Sequence, residues 1–268
     1  MSSIQAVLFG LVQGLTEFLP VSSSGHMSLL RVLLGIEADI PVAMDVVMHV
    51  GTLIAVIVAY RKRIWDMLRH PLQSELPLLA LATVPAVAAV LICKFAFHID
   101  VDEYFDYQYL GFFFLLTTLI LWFADLLNGI SAETKEVRWY NALAMGVTQI
   151  FGLLTGVSRS GSALAGGIAT GLSRKRATDF AFLMAIPAIL GALVFDIPEL
   201  ASGEIIESVG ALQLVIALVV SGGVGFLSIQ FMLKIIRRVR VTWFGVYTGI
   251  LGAAILLDQY VFHIFFKL

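Results

Sequence analysis

The chain repeats itself at long range. Gln13–Gly25 (QGLTEFLPVSSSG) lies over Gln149–Gly161 (QIFGLLTGVSRSG) with every aligned pair 136 positions apart. Gln13 meets Gln149, Val21 meets Val157, Ser22, Ser24 and Gly25 meet Ser158, Ser160 and Gly161, and Gly35 meets Gly171. Any fold for this sequence must therefore build two related halves. Each copy sets hydroxyls and glycines inside apolar sequence, where a membrane protein builds a polar site for a charged ligand.

Composition says which solvent those halves meet. Of the 268 residues, 59% are hydrophobic and 13% charged, against about 25% charged in soluble domains. Apolar runs that satisfy the ~20 residues needed to cross a hydrocarbon core of about 30 Å stand at roughly 41–60, 76–97, 108–127, 177–196, 211–233 and 242–263. The polar motif QGLTEFLPVSSSGH interrupts the first apolar stretch, and no basic residues precede it, so it reads as a retained segment and not a cleaved signal. A net charge of −2 leaves no footprint for nucleic acid. The single Cys93, inside an apolar run, reads as packing and excludes a disulfide within the chain.

Basic residues sort the connections. Arg61, Lys62, Arg63, Arg69, Lys135, Arg138, Arg174, Lys175, Arg176, Lys234, Arg237, Arg238 and Arg240 make up thirteen of the 17 Lys and Arg and mark cytoplasmic loops. The connections 98–107 and 197–210 carry carboxylates and no Lys or Arg, and are expected outside. Arg31 is the exception, in a segment placed outside. Segment 139–171 begins and ends beside basic loops, so it is expected to dip in and return, its irregular backbone buried or lining a cavity. Its counterpart, 4–36, is expected to dip from the opposite face, giving an inverted repeat whose polar tips meet near mid-membrane.

The expected fold is an all-α integral membrane protein of six transmembrane helices plus two re-entrant helix hairpins in inverted-topology repeats. It forms one domain over 1–268, with repeat 1 at about 1–127 and repeat 2 at about 139–268.

The chemistry-bearing residues cluster at the tips. Glu17, Ser22, Ser23, Ser24 and His26 fall within ten positions, with Pro20 and Gly25 breaking the helix around them. An ionisable pair at membrane depth is costly unless paired or wet, so function is the default reading, with capping or pairing to a structural Arg as the alternative. Ser158, Arg159, Ser160 and Gly161 put a guanidinium between hydroxyls at a helix start, after Thr155 and Gly156. There, free N–H groups, the dipole and a planar fork suit phosphate. Arg159 either cradles that phosphate or neutralises Glu17 and locks the segments together. Gln13 and Gln149 either cross-bond or glue helices. Asp45 and His49, four apart, either bracket the site or a metal, or simply pack. Asp125 is expected at the interface, and Phe112–Phe114 and Phe262–Phe266 toward lipid.

These motifs, with DVVMHVGTLIAV at 45–56 and GVSRSGSALAGGIATGLSRKRATDFAFLMAIPAILGA at 156–192, resemble the integral-membrane undecaprenyl-diphosphate phosphatases, also called bacitracin-resistance proteins, over essentially the whole chain. The resemblance implies the same six spans and two inverted hairpins. It also implies removal of the terminal phosphate of undecaprenyl diphosphate, a polyprenyl lipid, in the bacterial plasma membrane, with a divalent cation (Mg or Ca) and a pocket opening outward. The family's functional positions fall on Glu17, Ser22, Ser23, His26, Ser158 and Arg159, with Glu17 as the candidate metal ligand. Two departures stand out: Gln13 where many members have Glu, removing one ligand charge if that Glu binds metal, and Thr155 where Pro is common. The rival from another class is a carrier or flippase for polyprenyl phosphate, since broken helices meeting mid-membrane are also transporter architecture. The nucleophile (Ser23 or water) and the oligomeric state, a homodimer among the options, stay open.

Overall fold

The computed structural model describes residues 1–36, 42–98, 107–128, 136–200 and 209–266. The connections 98–107 and 197–210, expected outside, and Lys135 fall largely or wholly outside these ranges.

Among the described residues ten α-helices follow one another: α1 (Ser3–Thr16), α2 (Ser23–Leu33), α3 (Val42–Arg69), α4 (Leu76–Leu91), α5 (Leu110–Asn128), α6 (Trp139–Gln149), α7 (Arg159–Ala169), α8 (Arg174–Leu200), α9 (Ala211–Ile235) and α10 (Thr242–Leu257). Six are long and apolar enough to cross a bilayer: Val42–Arg69, Leu76–Ala96, Leu110–Leu127, Arg174–Phe195, Ala211–Ile235 and Thr242–Phe262. They match the six apolar runs read from sequence. Large apolar side chains such as Val84, Val219 and Ile250 point outward, a liability in water and ordinary in hydrocarbon. The chain is thus a multi-pass membrane protein.

The remaining four helices make two helix–break–helix segments, and the 136-residue spacing recurs in their boundaries. α1 starts at Ser3 and α6 at Trp139, α2 at Ser23 and α7 at Arg159, and α2 ends at Leu33 where α7 ends at Ala169. Local chemistry explains the match. Ser22 and Ser158 cap α2 and α7, accepting from the amides of Gly25 and Gly161, which satisfies donors that a helix start leaves orphaned. Gly35 and Gly171, with φ of 64° and 92°, turn the chain out of each helix, a conformation glycine adopts without Cβ strain.

Packing between the halves is crosswise. α1 lies along α9, while its counterpart α6 lies along α4. α7 packs on α5, and α2 reaches α10 through His26 and Tyr247. α3 packs on α8, and α5 on α10. Each broken segment is therefore clasped by spans of the other half. Backbones approach closely at these seams: a Cβ added at Gly146 would stand 2.2 Å from the carbonyl oxygen of Ala82, and one at Gly14 2.7 Å from that of Ser221. The main core gathers around Phe18, Ile168, Leu172, Phe180, Phe182 and Met232, drawing on both halves.

Two expectations are corrected. Phe114 and Phe266 are buried, not lipid-facing, because Phe114 packs against His26 and Phe266 joins Leu110 and Ile255 in a small cluster. Asp125, near the end of α5, has a side chain that is 7% exposed and pairs with Arg174 at 3.1 Å, and it caps α10 by accepting from the Thr242 amide at 2.9 Å and hydroxyl at 2.8 Å. The second break, which the Gly and Ser residues place at Thr155–Gly161, begins earlier, at a 3₁₀ turn, Ile150–Leu153, and Arg159 to Gly161 already belong to the new helix.

Candidate functional site

The two breaks touch. A Cβ at Gly25 would come within 2.9 Å of the Cα of Gly156 and 2.7 Å of the Phe114 ring, and one at Gly161 within 3.2 Å of Pro20. Ser160 Oγ donates across the junction to the Leu19 carbonyl at 3.1 Å. Hydroxyl pairs repeat in both copies, Ser22 with Ser24 at 3.3 Å and Ser158 with Ser160 at 3.3 Å. Ser24 is exposed, Thr155 half-buried, and Gly25, Gly156, Ser158 and Gly161 buried. Ser22, with φ of 70°, is the non-glycine residue held in left-handed backbone beside the break, the kind of strain that concentrates at functional sites. The second break hangs from α5: Thr117 donates to the Gly156 carbonyl and accepts from the Ser158 amide, both at 3.1 Å.

Glu17 is the centre of this junction. Its side chain is 3% exposed and forms an ion pair with Arg159 of the other half. Oε2 accepts from Ser23 Oγ at 2.6 Å and from Gln13 Nε2 at 3.2 Å. Every partner is a donor, so the carboxylate is held ionised and oriented although it lies in an apolar protein. Both readings of Arg159 meet here. It does neutralise Glu17 and tie the segments together, yet among the described residues this one contact leaves most of its five N–H donors unused, and the side chain is 25% exposed. Gln13 spends its bond on Glu17, within its own segment; Gln149 is buried at the equivalent place.

His26 sits one turn into α2. Nδ1 is 2.7 Å from the Ser22 carbonyl and Nε2 2.7 Å from the Tyr247 hydroxyl. On α3, His49 Nδ1 lies 3.2 Å from Asp45 Oδ2 and 3.0 Å from the Asp45 carbonyl, so the two residues pair with each other one turn apart. Sequence reading missed Tyr247, Thr117 and Phe114. The available signal was faint: a lone hydroxyl or ring inside an apolar span.

A divalent cation can be tested against these donors. Among the described residues no group of three or more His, Cys, Asp or Glu could hold a metal ion, so no protein-only cage is present. The Glu17 carboxylate, the Ser23 hydroxyl 2.6 Å from it and the Gln13 amide bonded to it offer oxygen donors with one charge, a chemistry that fits a hard cation whose remaining ligands come from elsewhere.

The same stretches are shared with known proteins. The family model described as bacitracin resistance protein BacA matches residues 6–254. A protein of Carboxydothermus hydrogenoformans named undecaprenyl-diphosphatase is 36% identical over 97% of this chain and 98% of its own length. Proteins of the same name from Halothermothrix orenii and Alkaliphilus metalliredigens are 31% and 30% identical, each over 96% of this chain and 98% of their own length. Similarity that runs from the helix before Glu17 past the tyrosine beside His26, with no large unmatched segment on either side, places the chain in the bacitracin resistance protein BacA family.

Proposed function

We infer that the protein hydrolyses undecaprenyl diphosphate to undecaprenyl phosphate and inorganic phosphate, returning the lipid carrier to peptidoglycan synthesis. The relatives' names favour hydrolysis over the carrier reading. One observation carries the mechanism: Ser23, Glu17 and Arg159 meet where the two breaks touch.

A hydroxyl 2.6 Å from a buried carboxylate is a nucleophile beside its base. Ser23 Oγ attacks the terminal phosphorus and the bond to the bridging oxygen breaks. Glu17 takes the hydroxyl proton, and returns it to Oγ when water hydrolyses the phosphoserine. Arg159 stabilises the transferring phosphoryl with its free N–H groups, beside the starts of α2 and α7, which favour anions. His26 serves as the acid in the first step and the base in the second. Glu17 and Gln13 would hold a Mg or Ca ion, which would supply charge neutralisation for the phosphate groups. Ser22, Ser24, Gly25, Thr155, Gly156, Ser158, Ser160 and Gly161 shape the cradle.

Topology supports this placement. α2 and α7 have 11 residues each, about 16 Å at the rise of an α-helix, half of what a bilayer requires. The segments are therefore read as re-entrant, dipping from opposite faces of the bacterial inner membrane as inverted repeats, with the basic loops cytoplasmic and the pocket open to the outer side. Crosswise packing of equivalent helices supports the same symmetry.

The test is phosphate release by the purified protein from a short-chain polyprenyl diphosphate. Arg159→Ala is expected to lower turnover about 10³-fold or more. Near-normal turnover of that variant, or lipid movement in vesicles without phosphate release, would overturn the assignment.

A further inference from the structure

Both ring nitrogens of His26 are occupied. Nδ1 lies 2.7 Å from the Ser22 carbonyl, and because a carbonyl only accepts, Nδ1 carries a hydrogen. Nε2 lies 2.7 Å from the Tyr247 hydroxyl. That hydroxyl donates to a neutral imidazole and, by rotating about its C–O bond, accepts from an imidazolium. The pair therefore serves either protonation state without moving a ring.

The surroundings hold this geometry. The rings of His26 and Tyr247 stack, with centroids 5.6 Å apart and planes 12° apart. Phe114 sets its ring at 89° to the imidazole at 5.3 Å. Tyr247 belongs to α10 and is 47% exposed, while His26 is half-buried. A histidine with both nitrogens engaged cannot reach a phosphate directly; whatever proton it moves at Nε2 passes through its partner.

We propose that Tyr247 is a working part of the phosphatase centre: it positions the His26 imidazole and relays the proton that His26 gives or takes. The inference rests on reading the helix-break junction as that centre. In the first step the Nε2–H bond of the imidazolium breaks and its proton passes to the Tyr247 oxygen. The phenolic O–H bond breaks in turn, and that proton goes to the departing lipid phosphate. In the second step the water that attacks phosphoserine gives up a proton, which returns through Tyr247 to His26 as Glu17 reprotonates Ser23. Both groups finish as they began.

Tyr247→Phe keeps the stacked ring and removes the hydroxyl. Its turnover on a short-chain polyprenyl diphosphate is expected to fall about 10²-fold with KM unchanged. The double variant with His26→Ala is expected to be no slower than His26→Ala alone, since two residues acting as one relay are not additive. In ¹⁵N-histidine-labelled protein, the wild-type His26 Nε2 resonance should show a hydrogen-bonded nitrogen, and should shift in Tyr247→Phe. Wild-type turnover in Tyr247→Phe, a loss that multiplies with that of His26→Ala, or an unbonded Nε2 in the wild type each overturns the relay. If Arg159→Ala is inactive while Tyr247→Phe is normal, the relay falls and the phosphatase reading stands. A wild-type protein that releases no phosphate removes both.

Discussion

At the scale of residues the site is a carboxylate whose every hydrogen bond comes from a donor with a second possible use. Removing its charge separates those uses. Glu17→Gln takes away the base and also frees Arg159 from its partner. Turnover should drop by about 10²–10⁴-fold, while inorganic phosphate becomes a stronger product inhibitor, since an unneutralised guanidinium holds an anion better. Steady-state kinetics with added phosphate would measure both. The nucleophile is settled separately: acid-quenched enzyme, exposed to substrate labelled in its terminal phosphate, should carry label on the peptide containing Ser23 and none after Ser23→Ala. An unlabelled wild type with active Ser23→Ala would return the attack to water. Glu17, His26 and Arg159 were legible in the sequence because ionisable side chains in apolar stretches stand out on cost alone. Tyr247, 221 positions from His26, was not, because an aromatic in a membrane span is ordinary until its partner is known.

Elements were legible to different depths. Hydropathy located the spans because a bilayer demands a run of fixed length, and Ser and Gly marked the breaks because caps and left-handed turns need those residues. Which helix packs on which was hidden. Close approach is written only as glycine, and glycine does not name its neighbour. Gly146 shows the difference, since a Cβ there would stand 2.2 Å from the Ala82 carbonyl, whereas one at Gly223 meets nothing within 4 Å. Gly146→Ala should destabilise the α4–α6 seam by about 1–3 kcal/mol, lowering the thermal midpoint in detergent by several degrees. Gly223→Ala should leave it unchanged. Equal midpoints for the two variants would contradict the seam. The partners of Asp125 were hidden for a related reason: an acid at a helix end does not name the Thr242 it caps or the Arg174 it pairs with.

Across the whole molecule, the duplication was visible as spacing, but the exchange of partners between halves was not. Neither half contains a complete site or a complete set of contacts for its own broken segment. Chains divided between α5 and α6 should therefore be inactive apart and regain phosphate release when made together, co-purifying as one complex. Activity from either piece alone would refute the crosswise arrangement.

The ion pair between Glu17 and Arg159 spans 142 positions, and that separation sets a timetable. A ribosome adding about 5–20 residues per second makes the acid well before its counter-charge. For roughly 10 s the nascent first segment must keep its carboxylate wet, and it can settle to its final depth only after the second segment has been synthesised. Loss of Arg159 would then strand newly made protein as well as slow finished enzyme.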